Sequence, residues 1–211
     1  MIDQTTAVNL EKDTMANLLN KEGMTVAERY LPPPGYNRTD VEPDSFGDFL
    51  RQQRLKSYGE KALYYDGRQK RAEGIYDSVF DVDIGDRDLH QCADAIMLLR
   101  AEYLYAHRRY DEIAFNFVSG FSAEYSKWMD GYRIRVEDND VSYYKATDPS
   151  DTYDSFRKYM AMVFAYASTL SMEKELVSVN VKDMKIGDVF IVGGSPGHAV
   201  IVVDMAENEN G

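Results

Sequence analysis

The sequence predicts an α+β fold in which a helical lobe packs on an antiparallel β-sheet. Residues 89–107 contain no Gly or Pro and are rich in Ala, Leu, Met, Arg and Glu, which are strong helix formers. Residues 188–192 and 198–205 are rich in β-branched side chains and flank a turn with Gly and Pro, as the strands of a hairpin do. A length of 211 residues fits one domain of ordinary size.

The composition is that of a chain that can build a core and that repels nucleic acid. Hydrophobic residues make up 44% of the sequence, which is enough apolar surface for a sizeable core. The 24 basic against 36 acidic residues give a net charge of −12, and such a field repels phosphate backbones. No apolar run approaches the ~20 residues that cross a bilayer. We therefore expect no nucleic-acid partner, no transmembrane segment and no cofactor.

The N-terminal part is expected to be an appendage. Residues 5–21 favour a short helix whose apolar positions fall roughly along one side. The Pro-Pro-Pro-Gly run at 32–35 breaks regular structure, so we expect a helical appendage over 1–30 and a single α+β domain over 31–211. The first 21 residues lack the apolar stretch of a signal peptide, which indicates either an intracellular protein or a targeting segment left out of the sequence.

Three short elements are predicted before the long helix. Ser45 is a good N-cap for a helix that begins at Phe46. Residues 62–65 predict a strand that ends in an Asp-Gly turn, and residues 76–82 alternate well enough for a second strand.

The helix predicted over 89–107 carries the single cysteine in its first turn. Asp88 with Gln91 three residues later matches a capping box. The 3.6-residue period predicts an inward stripe made of Cys92, Ala95, Ile96, Leu99 and Tyr103. We therefore expect Cys92 to face the interior near the helix N-terminus.

The segment between this helix and the hairpin is expected to be mixed. Residues 113–118 predict a strand, and residues 120–149 predict a loop region rich in Gly, Asp and aromatic residues. Residues 152–167 predict a second helix with an apolar stripe.

The strand predicted over 198–205 is apolar on both faces, which is typical of a strand covered on both sides. The sequence ends soon afterwards at Asn210-Gly211, a dipeptide favoured in tight hairpin turns. We therefore expect the sheet to be truncated before a further strand that would pair with this one.

Metal and phosphate sites are not predicted. Residues 81–85 resemble the start of a calcium loop, but Cys92 stands where such a loop needs its bidentate Glu. The glycine-rich residues 193–197 are followed by a strand and not by the helix that a phosphate cradle needs. His90 and His107 lack a zinc-ligand spacing.

Cys92 and His198 form the strongest candidate for chemistry. A thiol in the first turn of a helix, followed 106 residues later by a histidine that opens a strand, is the order found in papain-like cysteine hydrolases. The helix N-terminus stabilises a thiolate, and an adjacent imidazole protonates the leaving group. The backbone N–H of Cys92 and the amide of Gln91 are candidates for an oxyanion hole. The alternative is that Cys92 is a buried core residue.

An aromatic and arginine set is a candidate substrate-binding surface. Trp128, Tyr132 and Arg133 could line a groove, because aromatic faces stack on sugars and Arg pairs with carboxylates. The alternative is that they anchor a long loop. Arg100 and Glu102 lie two apart on the long helix and are expected to be salt-bridged or solvated.

The hairpin resembles that of a known class of hydrolases. Residues 186–191, Ile-Gly-Asp-Val-Phe-Ile, and residues 196–204, Pro-Gly-His-Ala-Val-Ile-Val-Val-Asp, are similar to the strand pair of NlpC-type cell-wall cysteine peptidases, whose second strand carries the catalytic His. The resemblance covers about 40 residues and implies a papain-like fold. The residues around the cysteine depart from it, since Gln91-Cys92-Ala93-Asp94 stands where those peptidases usually have Asp-Cys-Ser-Gly.

A longer resemblance begins at Tyr36. Residues 88–95, 99–104, 115–120 and 187–199 together are similar to the family called domain of unknown function 4846. Members resemble secreted or lipid-anchored bacterial proteins without an established activity, so the resemblance implies an envelope or secreted location. That family usually continues beyond the hairpin with a Gln-Ser-Tyr-Met-Pro-Ala-Gln-like strand, which this sequence lacks.

We therefore expect a cysteine-dependent amide hydrolase or transferase that acts on a cell-wall or peptide substrate, or else a non-catalytic binding or structural protein on the same fold. The first alternative predicts a Cys92 Sγ to His198 ring-nitrogen distance of roughly 3–4.5 Å. Asp204 and Asp188 are both too far along their strands to orient the ring. The orienting group is therefore expected from a strand after Gly211, and the 211-residue form is expected to be poorly active.

Overall fold

The computed structural model of the protein describes residues 18–71 and 74–209. Helices and small antiparallel sheets occur together in it, which confirms the α+β class. The chain forms two compact units. Of the described residues, the first unit contains 18–71, 74–86, 185–187 and 202–209, and the second contains Arg87–Met184 and Asp188–Ile201.

This division differs from the boundary predicted at residue 30. Val26 and Arg29 are buried in the first unit, so the chain just before residue 30 is packed structure. The Pro-rich run forms a turn within that unit, where the N–H of Tyr36 donates to the Pro33 carbonyl at 3.0 Å. The helix predicted over 5–21 falls mainly on residues outside the described part.

The helices and strands follow one another as short elements, apart from two longer helices. The helices are α1 (Val26–Arg29), α2 (Phe46–Arg51), α3 (Cys92–Ala106), α4 (Tyr125–Met129), α5 (Tyr153–Tyr166) and α6 (Thr169–Glu175). The strands are β1 (Asn37–Arg38), β2 (Ala114–Asn116), β3 (Ser122–Glu124), β4 (Tyr132–Glu137), β5 (Asp140–Lys145), β6 (Val189–Val192), β7 (His198–Ile201) and β8 (Ala206–Glu207). No helix of the described part is long and apolar enough to cross a membrane.

The strands pair two by two. Within the described residues the antiparallel pairs are β1 with β8, β2 with β3, β4 with β5, and β6 with β7, in place of the single sheet that the sequence predicts. The hairpin β4–β5 and the helix α6 are elements that the sequence analysis missed. The strand predicted over 76–82 is wrong, because that segment makes only an isolated bridge between Phe80 and Leu55.

The first unit is held by polar contacts around a small apolar core. Ser45 caps α2 as predicted, since its hydroxyl accepts from the N–H of Asp48 at 3.2 Å. The buried side chains of its described part include Val26, Leu50 and Leu55 together with two arginines, Arg29 and Arg51. Arg29 has 0% exposure and donates to the carbonyls of Gly23 and Lys56 and to the hydroxyl of Ser78.

The second unit is built on α3 and α5, which run antiparallel. Tyr105 at the end of α3 stacks on Phe156 near the start of α5 at 4.5 Å, and His90 just before α3 lies edge-on to Phe164 near the end of α5 at 5.5 Å. A cluster of rings fills the space beside these helices. Its buried members are Tyr125, Trp128, Phe156 and Tyr159.

Candidate active site

The helix α3 begins at Cys92, three residues later than the sequence predicts. Gln91 has extended backbone angles and is the N-cap residue. The carboxylate of Asp94 reaches back and accepts the N–H of Gln91 at 3.0 Å. The predicted capping box at Asp88 and Gln91 is therefore wrong, because Asp94 takes that role one turn later. Cys92 does lie in the first turn, as predicted, and is the first helical residue.

Cys92 is half-buried, while most of α3 is buried on all sides. Of the predicted stripe, Ile96, Leu99 and Tyr103 are buried, but residues off that stripe are buried as well. These additional buried residues are Ala93, Asp94, Met97, Leu98, Ala101 and Leu104. The helix is thus an inner helix of its unit, and its first residue, Cys92, is only half-buried.

Asp94 is a buried carboxylate that the sequence analysis missed. One carboxylate oxygen accepts a hydrogen bond from the backbone N–H of Gln91. The other oxygen has no hydrogen-bond partner in the described part of the chain. Burial raises the pKa of the Asp94 carboxyl to about 6. The signal in the sequence was an acidic residue three places after the true N-cap, which is the position of the reciprocal capping side chain.

His198 opens β7 as predicted, and the hairpin register pairs it with Val192. The two faces of the strand differ, however. Ala199 is buried, whereas His198 and Val200 are exposed, the latter by 47%. The prediction that both faces are covered is therefore wrong. In an antiparallel pair the residues opposite each other share a face, so His198, Val200, Phe190 and Val192 lie on one exposed face of the hairpin.

A series of contacts brings the start of α3 and the turn before His198 to the same end of the second unit. His90, two residues before Cys92, touches Phe164 near the end of α5. Three residues after α5 ends, Thr169 donates its hydroxyl to the carbonyl of Gly194 in the hairpin turn at 3.4 Å. The strand β7 packs against α3. Among the described residues no hydrogen bond involves the Cys92 thiol or the His198 ring, so their direct contact stays a prediction.

The orienting residue for His198 is not found within the described residues. Asp204, rejected on distance, pairs instead with Arg51 at 2.6 Å and Arg38 at 2.8 Å in the first unit. No other carboxylate or amide of the described part hydrogen-bonds to the His198 ring. Gln91 is exposed beside Cys92, where its amide can reach a bound molecule.

Trp128, Tyr132 and Arg133 are not arranged as the predicted groove for stacking on sugars. Trp128 is only 7% exposed, donates its indole N–H to Ser155 at 3.2 Å and is covered by the Arg133 guanidinium at 4.1 Å from its ring centre. Its face is therefore not available to a sugar in this structure. Tyr132 is half-buried and near the ammonium of Lys145. No carboxylate of the described residues pairs with Arg133.

Glu102, one of the two charged residues in the middle of α3, is salt-bridged, as predicted. Glu102 pairs with Arg157 at 3.5 Å and accepts the hydroxyl of Tyr153 at 2.7 Å. Arg100 is half-buried, with its guanidinium 5.4 Å from the ring centre of Tyr103.

The comparisons with known proteins place the chain in a family without a described activity. The model of the family "domain of unknown function (4846)" matches residues 26–211. Neither a curated protein nor a solved structure matches the chain significantly. Because the match covers most of the sequence, the chain belongs to the domain of unknown function 4846 family.

Proposed function

We propose that this protein is a cysteine-dependent amide hydrolase or transferase with a papain-like arrangement, in which Cys92 is the nucleophile and His198 the general acid and base. One observation carries the proposal. The half-buried Cys92 is the first residue of the inner helix α3, and the strand that begins at His198 packs against that same helix.

The helix start supports a thiolate. The first N–H groups of a helix have no intrahelical acceptor and carry a partial positive charge, which stabilises an anion beside them. Cys92 is at this position of a 15-residue helix. An imidazole that takes the thiol proton leaves a nucleophile ready to attack a carbonyl.

The proposed reaction proceeds in two steps. The Cys92 sulfur bonds to the amide carbonyl carbon, the C–N bond breaks, and the His198 ring gives its proton to the leaving amine. Water, or an acceptor amine in a transferase, then attacks the thioester carbonyl carbon while His198 takes its proton. The C–S bond breaks, and His198 returns the proton to the Cys92 sulfur. The N–H of Cys92 and the exposed amide of Gln91 are the donors for the oxyanion.

A peptide of the bacterial cell wall is the proposed substrate, and the cell envelope the proposed location. The support is the resemblance of the hairpin to NlpC-type peptidases. Arg133 adds to it, because its guanidinium lies 4.1 Å from the ring centre of Trp128 and has no carboxylate partner among the described residues. Its Nη1 donates to the carbonyls of Trp128 and Tyr132, and its Nε and Nη2 can bind a substrate carboxylate with two parallel hydrogen bonds.

The test is release of amine from purified peptidoglycan fragments, followed by mass spectrometry. Wild-type protein is expected to release product slowly, Cys92→Ala to release none, and His198→Gln to be slower than wild type by about 10²–10⁴. His107→Gln is the matched control, because that ring is exposed and bonds to the carbonyl of Tyr103 in its own helix. Equal rates for wild type and Cys92→Ala would exclude the catalytic proposal.

The second candidate is a non-catalytic binding or structural protein on the same fold. The exposure of His198 beside Val200, on the face opposite the buried Ala199, favours it. In that case no peptidoglycan fragment is cut by the wild type, and His198→Gln has no effect on any property of Cys92.

A further inference from the structure

A cavity of about 320 Å³ lies within the first unit, whereas Cys92 and His198 belong to the second. It is lined by α1, the Pro-rich run that follows, β1 and the chain at residues 203–206. Most of its lining is apolar and includes Val26, Tyr30, Leu31, Pro32, Val203 and Met205. Concave sites with apolar walls and a few polar groups are the usual form of a small-molecule site.

Arg38 and Asp204 bring charge to the lining of this cavity. The Asp204 carboxylate is shared between two arginines, because one oxygen accepts Nε of Arg38 at 2.8 Å and the other accepts Nε of Arg51 at 2.6 Å. Arg51 is only 7% exposed, and the side chain of Arg38 is half-buried. No other carboxylate of the described residues pairs with either arginine. The cluster of Arg38, Arg51 and Asp204 therefore holds two positive charges and one negative charge.

This excess of one positive charge is permanent, because a guanidinium does not lose its proton in proteins. A cation that is partly removed from water has lost hydration, so an anion beside it restores part of what was lost. A single excess charge is matched by a monoanion. A carboxylate has one negative charge, whereas a phosphate monoester has about 1.5 to 2 at pH 7. The charge of the cluster therefore favours a carboxylate.

Two donors remain for such a carboxylate. Nε of Arg38 is bonded to Asp204, and its Nη2 donates to the carbonyls of Ala27 and Tyr30. Its Nη1 has no acceptor among the described residues, and neither does the hydroxyl of Tyr30. An N–H and an O–H can both donate to one carboxylate, and bonds to a charged acceptor are the stronger ones.

The volume and the apolar walls limit the rest of the ligand. Drug-sized ligands occupy pockets of roughly 300–1,000 Å³, so a cavity of about 320 Å³ suits a molecule at the small end of that range. The walls favour an apolar chain, because transfer of apolar surface out of water is favourable.

We propose that this cavity binds a short-chain aliphatic carboxylate, with its carboxylate group at Nη1 of Arg38 and the hydroxyl of Tyr30 and its chain along the apolar walls. This inference goes beyond the proposed function, since it requires neither Cys92 nor His198.

Calorimetric titration of the wild-type protein at low salt with four matched probes tests the assignment. Hexanoate has the negative charge and the chain, 1-hexanol lacks the charge, hexylamine has the opposite charge, and acetate lacks most of the chain. Hexanoate is expected to bind at least about tenfold more tightly than each of the others, because every other probe lacks one required feature. Absence of hexanoate binding up to about 10 mM, or binding of another probe within tenfold of it, would overturn the proposal.

Two variants of the charged cluster have effects of opposite sign. Arg38→Gln removes the donor and the excess charge, so hexanoate binding is expected to weaken at least about tenfold. Asp204→Asn leaves two positive charges without the negative one, so binding is expected to tighten at least about threefold. The control is Arg68→Gln, which removes an exposed arginine paired with Asp66 and should leave binding unchanged. Unchanged binding in Arg38→Gln, or weaker binding in a folded Asp204→Asn, contradicts the assignment.

A matched pair at Leu31 avoids the buried cluster. Leu31 lines the cavity and is 44% exposed, so both substitutions are expected to fold. Leu31→Glu adds a negative charge that Leu31→Gln does not, and it should bind hexanoate at least about threefold more weakly than Leu31→Gln at low salt. Equal binding by the two variants places the ligand elsewhere. No amide substrate is used in any of these titrations, and their failure leaves the catalytic proposal intact.

Discussion

The two units bury charge in opposite ways. In the first, the guanidinium groups of Arg29 and Arg51 are buried among a small number of apolar side chains. In the second, many apolar and aromatic side chains are buried, and Asp94 is a buried anion. Arg29 donates hydrogen bonds to backbone carbonyls and to a hydroxyl, whereas Asp94 accepts a single hydrogen bond, from the N–H of Gln91.

This difference shows two ways in which a protein offsets the free-energy cost of removing a charged group from water. An arginine has five N–H donors and keeps its charge, so it must be surrounded by acceptors. A carboxyl can instead take up a proton, and burial then appears as a raised pKa. The first unit should therefore be sensitive to the loss of donors, and the second to pH and to the loss of packed rings.

The largest effect is expected from Arg29→Met. Methionine keeps an apolar body of similar length but leaves the carbonyls of Gly23 and Lys56 without their donor, so we expect a loss of about 3–5 kcal/mol in the free energy of unfolding. Hydrogen exchange should show the loss in residues 18–56 and not in α3. The control is Arg68→Met. This substitution removes only an exposed ion pair with Asp66, so it should change the free energy of unfolding by less than about 1 kcal/mol. Equal losses for the two variants would contradict the role given to Arg29.

The second effect is a pH dependence in the other unit. The ordinary pKa of an Asp is 3.8, and that of Asp94 in the folded protein is about 6. Between these values the folded state holds more protons than the unfolded state, so the Asp94 contribution to stability falls as pH rises through this window. The difference between a pKa of 3.8 and one of about 6 corresponds to roughly 3 kcal/mol.

Asp94→Asn removes this titration. As pH rises from about 3 to about 8, the free energy of unfolding of the variant minus that of wild type should increase by about 3 kcal/mol. Urea unfolding at each pH measures this difference. Asp154→Asn, an exposed residue of α5, is the control and should show no comparable gain. A wild-type and Asp94→Asn pair with parallel pH curves would show that Asp94 does not titrate as described.

A matched pair of tyrosines tests the polar contacts in the aromatic core. The buried hydroxyl of Tyr159 donates to the carbonyl of Ala123 at 2.7 Å, whereas that of Tyr125 has no partner in the described residues. Tyr159→Phe should cost about 1–3 kcal/mol in free energy of unfolding, and Tyr125→Phe should be neutral or stabilising. The same cost for both would mean that Tyr125 has a hydrogen bond that the described contacts do not contain.

The smallest effect is expected on the exposed face of the hairpin. Phe190 and Val192 are 51% and 64% exposed, so Val192→Thr should change the free energy of unfolding by less than about 0.5 kcal/mol. Ala199→Leu, on the buried face of β7, should instead cost about 1–3 kcal/mol through overpacking. Thermal or urea unfolding of both variants measures the contrast, and a large effect at Val192 would show that this face is covered in solution.

The elements that the sequence predicted are those with local signals. The helices near 92 and 153 and the hairpin near 189 each have a strong periodicity, a cap or a glycine-rich turn, and all three form. The hairpin β4–β5 was missed because its alternation is masked by arginines and tyrosines, although Asp138 and Asn139 in its two-residue turn are residue types common in turns. Which face of β7 is covered depends on contacts distant in sequence, and no local pattern encodes them.

The candidate site shows the same limit. The position of Cys92 in a first helical turn follows from local helix signals, and it was predicted. The burial of Trp128, whose indole bonds to Ser155 of α5, and the burial of Asp94 depend on how the elements of the unit pack, so a single sequence did not reveal them.

The most direct test of the central claim is the rate at which iodoacetamide alkylates Cys92 at about pH 6, followed by mass spectrometry. The chain has a single cysteine, so the modified site is unambiguous. If Cys92 and His198 act together, the folded wild type should react at least about tenfold faster than the same chain unfolded in urea, and His198→Gln should lose this advantage. A folded rate no faster than the unfolded one, or a rate that His198→Gln leaves unchanged, would contradict the Cys92–His198 pair.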